Sequence, residues 1–209
     1  MIPVRVLAVQ YLANAAPKLC EGLGAPAGYP SLAMLTTDCD DATYIALDAA
    51  TKAADAVVCY ARSFYAGSAN ASTPNAGEVI GVLAAPTPGD AKSAMEAALS
   101  VLQRVGFEDV SGVPCLAYAV SSVGSFLAAE AGVPVGSAVA YLIAPPLEAM
   151  YALDEAMKAA EVTLCKLYTP PSETNFGGAL LSGTQSACTA AAAAFREKVR
   201  QVAQRPIGG

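Results

Sequence analysis

The chain has 209 residues, of which 55% are hydrophobic and 14% charged, with no histidine and a net charge of −6. The lack of histidine excludes the Ser-His-Asp and Cys-His nucleophile mechanisms, the usual zinc sites and the usual proton shuttle. The acidic balance, without a Lys/Arg cluster, argues against a nucleic-acid surface. So few charges leave much apolar surface to cover, which points to an obligate oligomer.

In chain order, Val4-Arg5-Val6-Leu7-Ala8-Val9 predicts a strand over 3–10. It lacks the basic, apolar and small-residue order of a signal peptide, so the cytosol is the expected compartment. Periodicity then predicts a helix over 14–20, a strand over 31–36, a helix over 41–54, strands over 56–62 and 78–85, and a helix over 88–104. Asp40 or Asp41 is placed to cap the helix at 41–54. The second half predicts a strand over 113–120, a helix over 122–131, a strand over 137–143, a helix over 145–160, strands over 162–168 and 178–183, and a helix over 184–203. Pro88, Thr184 and the pair Pro145-Pro146 mark helix starts.

Two charge-free stretches, Val110 to Ala129 and Ala131 to Leu147, have the length of a membrane span but are broken by glycines, prolines and serines. They read as short elements, and no membrane partner is expected. Six cysteines at 20, 39, 59, 115, 165 and 188 form no C-x-x-C pair and are expected to pack as small hydrophobes. Polar loops at Ser63 to Gly77 and Thr169 to Gly177 interrupt each half before its last strand. Such loops commonly carry function on a rigid scaffold.

The two halves repeat one another. Ala46-Leu47-Asp48-Ala49-Ala50-Thr51-Lys52-Ala53-Ala54-Asp55 matches the ten residues from Ala152 to Glu161 at an offset of 106, with seven identities, and Cys59 and Cys165 keep the register. Alanines match cheaply. The Leu-Asp pair with a lysine four residues after the aspartate is more informative, and it forms an i,i+4 ion pair on a helix surface. A period this long is no solenoid. It predicts two domains, 1–107 and 108–209, of an α/β (α+β sandwich) class, with the junction near Gly106 to Gly112.

The A-L-D-x-A-x-K-A-A pattern followed by a β-branched strand resembles the bacterial microcompartment shell domain. The runs Asp38 to Tyr44, Tyr60 to Gly67, Ala144 to Tyr151, Pro170 to Phe176, Ala76 to Val79 and Gly183 to Cys188 are similar to the L-type, tandem-domain shell proteins of ethanolamine-utilisation compartments. The resemblance implies two tandem circularly permuted shell domains, a homotrimer with six-fold pseudosymmetry, and tiling with other microcompartment shell proteins. It implies no enzyme activity, no cofactor and no metal. It places Asp40 and Glu78 in a small pore that holds ethanolamine, with Asp41 and Phe107 beside them. The loop Ser172-Glu173-Thr174-Asn175-Phe176 would line a central pore, with Gly67, Gly77, Gly177 and Gly178 as hinges. Lys52 and Lys158 would lie at the tile edge.

Blander readings stand beside these. Helix capping alone accounts for Asp40 and Asp41, an exposed strand end for Glu78, and a surface ion pair for each lysine. A small-molecule-binding regulator built on the same duplicated sandwich is the alternative function. A metal-dependent enzyme using Asp38, Asp40, Asp41 and Glu78 is a further rival, although no nucleophile or base is evident.

Overall fold

A computed structural model describes residues 1–64, 75, 77–170, 172 and 174–207. The chain divides into two compact units. One is Pro3–Val105 with Gly124–Leu127, and the other is Met1–Ile2, Gly106–Val123 and Ala128–Gly209.

The first unit holds β1 (Val6–Leu12), α1 (Pro17–Gly22), β2 (Ser31–Thr37), α2 (Asp40–Ala53), β3 (Val57–Ser63), β4 (Val79–Ala85) and α3 (Pro88–Leu102). Its antiparallel sheet runs in the order β1-β2-β4-β3. Alternation along the strands gives the sheet two faces. Leu32, Val82 and Ala84 form a buried cluster with Ala15, against which Cys20, Leu23 and Tyr29 pack from the α1 region. On the opposite face, Gly81 leaves the space that Leu35 and Leu47 of α2 fill, since a Cβ there would lie 2.6 Å from Leu47. α3 is capped by Thr87, whose hydroxyl accepts from the Asp90 amide at 3.1 Å, with Pro88 at the first helical position.

The second unit holds β5 (Glu108–Val110), β6 (Val113–Val120), β7 (Ala138–Ala144), α5 (Pro146–Ala159), β8 (Val162–Tyr168), β9 (Gly177–Gly183) and α6 (Gln185–Gln204). α4 (Ser125–Ala131) lies between β6 and β7 in the chain. The strand order is β5-β6-β7-β9-β8, which repeats the topology of the first sheet with one extra edge strand. Ala138, Ala140, Leu142, Ala179 and Leu181 face a buried layer from α5 and α6 that includes Leu153, Cys188, Phe195 and Val199. The small alanines let both helices approach the sheet closely. Burying each leucine or phenylalanine there contributes roughly 1.5–3 kcal/mol.

All fourteen sequence-predicted elements are present, the strands at 113–120 and 162–168 with the expected ends and the others with shifted ones. The additional element is β5, joined to β6 by Ser111-Gly112, both at positive φ. A Ser-Gly pair between two valines is the one hairpin signal the sequence offers there. One correction concerns α2. Its N-cap is Cys39, without a side-chain cap bond, and Asp40 and Asp41 instead occupy its first turn. There their negative charge suits the positive end of the helix dipole, and the Asp40 carboxylate accepts from the Asp41 amide. All six cysteines are free thiols. Cys115 and Cys188 are buried as expected, while the other four are only partly so.

Candidate functional site

The acidic residues converge where β2 ends and α2 begins. Thr37 closes β2, and its register partner in β4 is Val79, so Glu78 arrives beside Asp38 from the neighbouring strand. The Glu78 amide donates to the Thr37 carbonyl at 2.8 Å, and the Glu78 carbonyl accepts from the Phe64 amide at 3.0 Å. Gly77 makes this approach possible. It sits at φ 62°, and a Cβ there would lie 2.1 Å from the Thr37 carbonyl oxygen.

Each acid has a distinct setting. Asp38 is tied to Arg5 by two contacts of 2.8 Å, one from the backbone amide and one from Nε. Asp40 and Asp41 are buried, and the Asp40 carboxylate accepts from the Asp41 amide at 2.9 Å. Glu78 is exposed at its tip. Desolvation by the surrounding atoms, followed by the negative charges of Asp40 and Asp38, nonetheless raises its carboxyl above the usual range. Beneath them, the Thr37 and Thr43 hydroxyls are 2.7 Å apart, and the Thr37 hydroxyl accepts from the Cys39 amide. Burial, together with the three aspartates, pushes the Cys39 thiol up to about 12, so it is no nucleophile at neutral pH.

The clustered carboxylates make this a region of negative potential that favours cations over anions. Among the described residues, no group of three or more His, Cys, Asp or Glu side chains is arranged to hold a metal ion. The cavities of 430 Å³ beside α1 and 350 Å³ beside Tyr151 and Arg205 include neither Asp40 nor Glu78. Among the described residues, no helix is long and apolar enough to cross a membrane.

The remaining candidates each have their own surroundings. Phe107 packs on Phe176, with ring centroids 5.5 Å apart, and its carbonyl accepts from the Ile2 amide at 2.6 Å. The loop before β9 folds on itself. The Ser172 amide donates to the Phe176 carbonyl, the Asn175 amide donates to the Ser172 carbonyl, and Asn175 sits at φ 65°. The Ser172 hydroxyl lies 3.3 Å from that of Thr174. Glu173, Gly67 and most of the loop between Phe64 and Gly77 lie outside the described residues. Gly177 and Gly178 sit inside β9, paired with Ala144 and Ile143.

The two repeated Asp–Lys pairs are not alike, which corrects the expectation of two surface pairs. Asp154 and Lys158 pair at 2.6 Å on an exposed surface. Asp48 is fully buried. Its carboxylate accepts from the Gly124 amide at 2.7 Å and the Leu127 amide at 2.8 Å, as well as from Lys52 at 3.3 Å. It therefore caps α4 from a distant part of the chain. Sequence reasoning missed this role because nothing local to Asp48 announces it. It also missed Arg5 as the partner of Asp38.

No family model matches the chain. The chain is 50% identical over 212 residues to the bacterial microcompartment shell protein EutL of Clostridium perfringens, covering 100% of this chain and 98% of that protein. It is 40% identical over 211 residues to EutL of Escherichia coli, covering 99% and 96%. The crystal structure of the ethanolamine utilization protein EutL from Leptotrichia buccalis matches with a TM-score of 0.95 at 49% identity, over 100% of this chain and 98% of that one. The trimeric shell protein PduB shares the fold, with a TM-score of 0.76 at 19% identity, over 93% of this chain and 87% of that one. With sequence relatives matched end to end and the fold of their solved structures, this chain belongs to the EutL family of bacterial microcompartment shell proteins.

Proposed function

We propose that the chain assembles as a flat homotrimer of tandem shell domains, 1–107 and 108–209, which tiles with other shell proteins around a cytoplasmic microcompartment. It works as a wall with selective pores and not as an enzyme. The acidic cluster at the start of α2 carries this reading. Asp40 and Glu78, with Asp41 alongside, form a weak site for protonated ethanolamine. An ammonium offers three donors and a hydroxyl a fourth, and carboxylates accept such bonds strongly. An acidic passage concentrates cations and repels anions, and binding stays weak so that the permeant can leave. The Glu78 carboxyl is raised first by desolvation and then by the charges of Asp40 and Asp38, and a bound cation would offset that second, smaller part. The loop Ser172 to Phe176 lines a second, central pore and opens or closes it.

Native mass spectrometry with and without ethanolamine tests this. The expected species is a trimer that takes up as many as three ethanolamines, with Asp40→Asn and Glu78→Gln each weakening uptake by about tenfold or more. A trimer indifferent to ethanolamine would remove the ligand assignment. A monomer would remove the pores altogether.

A further inference from the structure

α1 is six residues long and has no side-chain cap, so its place depends on packing. Cys20 and Leu23, three positions apart, pack on the buried cluster of Ala15, Leu32, Val82 and Ala84. Val57, Cys59 and Tyr60 of β3, at the edge of the sheet, pack on the same cluster. Two thiols thirty-nine positions apart in the chain therefore share one apolar surface within one compact unit.

The backbone turns both cysteines toward that surface. Val58 pairs with Leu83 and Tyr60 with Val82, so Cys59 is the extra residue of a bulge. A bulge takes a residue out of the ladder and re-aims its side chain. The Cys59 thiol donates to the Val82 carbonyl at 3.5 Å, and the Cys20 thiol to the Ala15 carbonyl at 3.8 Å. The turn that ends α1 closes directly over the bulge. Gly24 makes it at φ 73°, and a Cβ there would lie 3.2 Å from the Cys59 carbonyl oxygen. The turn starts at Cys20, whose carbonyl accepts from the Ala25 amide at 2.9 Å.

The repeat supplies a contrast. β8 has the same bulge at Cys165, between Leu164 and Lys166. α4 starts five positions after the end of β6, as α1 does after β1, so the counterpart of Cys20 is Ala128. The second half keeps the strand cysteine without the helix cysteine, and the first half has both.

We propose that Cys20 and Cys59 form a reversible disulfide, with a small-molecule disulfide as the oxidant, and that this bond clasps α1 to β3. The two sulfurs take different parts. Cys20 lines the 430 Å³ cavity beside α1, and Cys59 does not. The Cys20 thiol gives its proton to solvent, and its thiolate attacks an incoming RSSR. Cys20 keeps one RS group, and the other leaves as RS⁻. Burial pushes the Cys59 thiol up to about 11, with a smaller push from Cys20, which makes it the resolving sulfur and not the first attacker. Cys59 then loses its proton, attacks the Cys20 sulfur and expels the second RS⁻. Two protein thiols are oxidised, one RSSR is reduced, and the two released protons convert both RS⁻ to RSH. Excess thiol runs the sequence backwards, as suits a reducing compartment. Closing a loop this long restricts the unfolded chain, so the oxidised form is the more stable.

Glutathione disulfide is the probe, added to the native full chain, with free thiols blocked before unfolding. The expected product has lost two hydrogens in the intact mass and joins the peptide holding Cys20 to that holding Cys59. Its Tm is expected to lie about 5 °C or more above that of the reduced protein, and excess reductant should abolish the gain. In Cys59→Ser, glutathione is expected to stay attached at Cys20. In Cys20→Ser, no link should form and Cys59 should take up no glutathione at the same exposure. A wild type that keeps both thiols, that holds glutathione on Cys20 as long as Cys59→Ser does, or whose link joins Cys165 to Cys188, overturns the clasp.

Discussion

At the scale of single residues, Glu78 is the most sensitive reporter of the acidic cluster. Its carboxyl is raised first by desolvation and then by Asp40 and Asp38. A carboxyl raised on folding contributes stability below its unfolded pKa and loses it as pH rises through the folded value. Glu78→Gln is therefore expected to raise Tm slightly at neutral pH, with the gain vanishing on acidification to about pH 4. Carboxyl NMR titration should find Glu78 above the ordinary range, and Asp40→Asn should lower it without abolishing the shift, since desolvation remains. A Glu78 that titrates normally and ignores Asp40→Asn would dissolve the cluster. Three of the four acids stand side by side in the sequence at 38, 40 and 41. The fourth joins them only because β2 and β4 pair with Thr37 opposite Val79.

At the scale of elements, α4 is short, seven residues, and its amino terminus is closed by a carboxylate from α2. Isolated helices of this length are unstable in water, so the remote cap matters more here than in α6, which runs for twenty residues and carries its own Thr184 cap. Asp48→Ala is expected to destabilise the protein by roughly 3 kcal/mol in urea unfolding, because two buried amides and Lys52 lose their acceptor together. A loss within experimental error would show that water or rearrangement replaces the carboxylate. The helices themselves were legible from alanine-rich periodicity, and their starts from Pro88, Thr184 and Pro146. β5 was not, since three residues carry too little pattern.

At the scale of the molecule, a chain this apolar and so sparsely charged fits the proposed assembly, in which other copies cover part of its surface. The proposed tiling would add a further level beyond the proposed trimer, and Lys158 is proposed to act there. Its side chain is 69% exposed and pairs with Asp154. An exposed pair of this kind contributes little to folding. Lys158→Ala is expected to leave trimers intact in native mass spectra while abolishing extended sheets in electron micrographs. Sheets that form as in wild type would remove Lys158 from the tile edge.

The sequence by itself determined the repeat, the order of every strand and helix except β5, the family, and the local run of acids at the start of α2. These rest on periodicity, composition and short-range chemistry, which a linear pattern carries. The tertiary structure alone decided that Asp48 and Asp154, identical in motif and spacing, have different surroundings. One is buried under amides 76 and 79 positions away, and the other is exposed. Burial depends on what the rest of the chain brings to a surface, and a repeat conserves the surface without conserving what arrives on it.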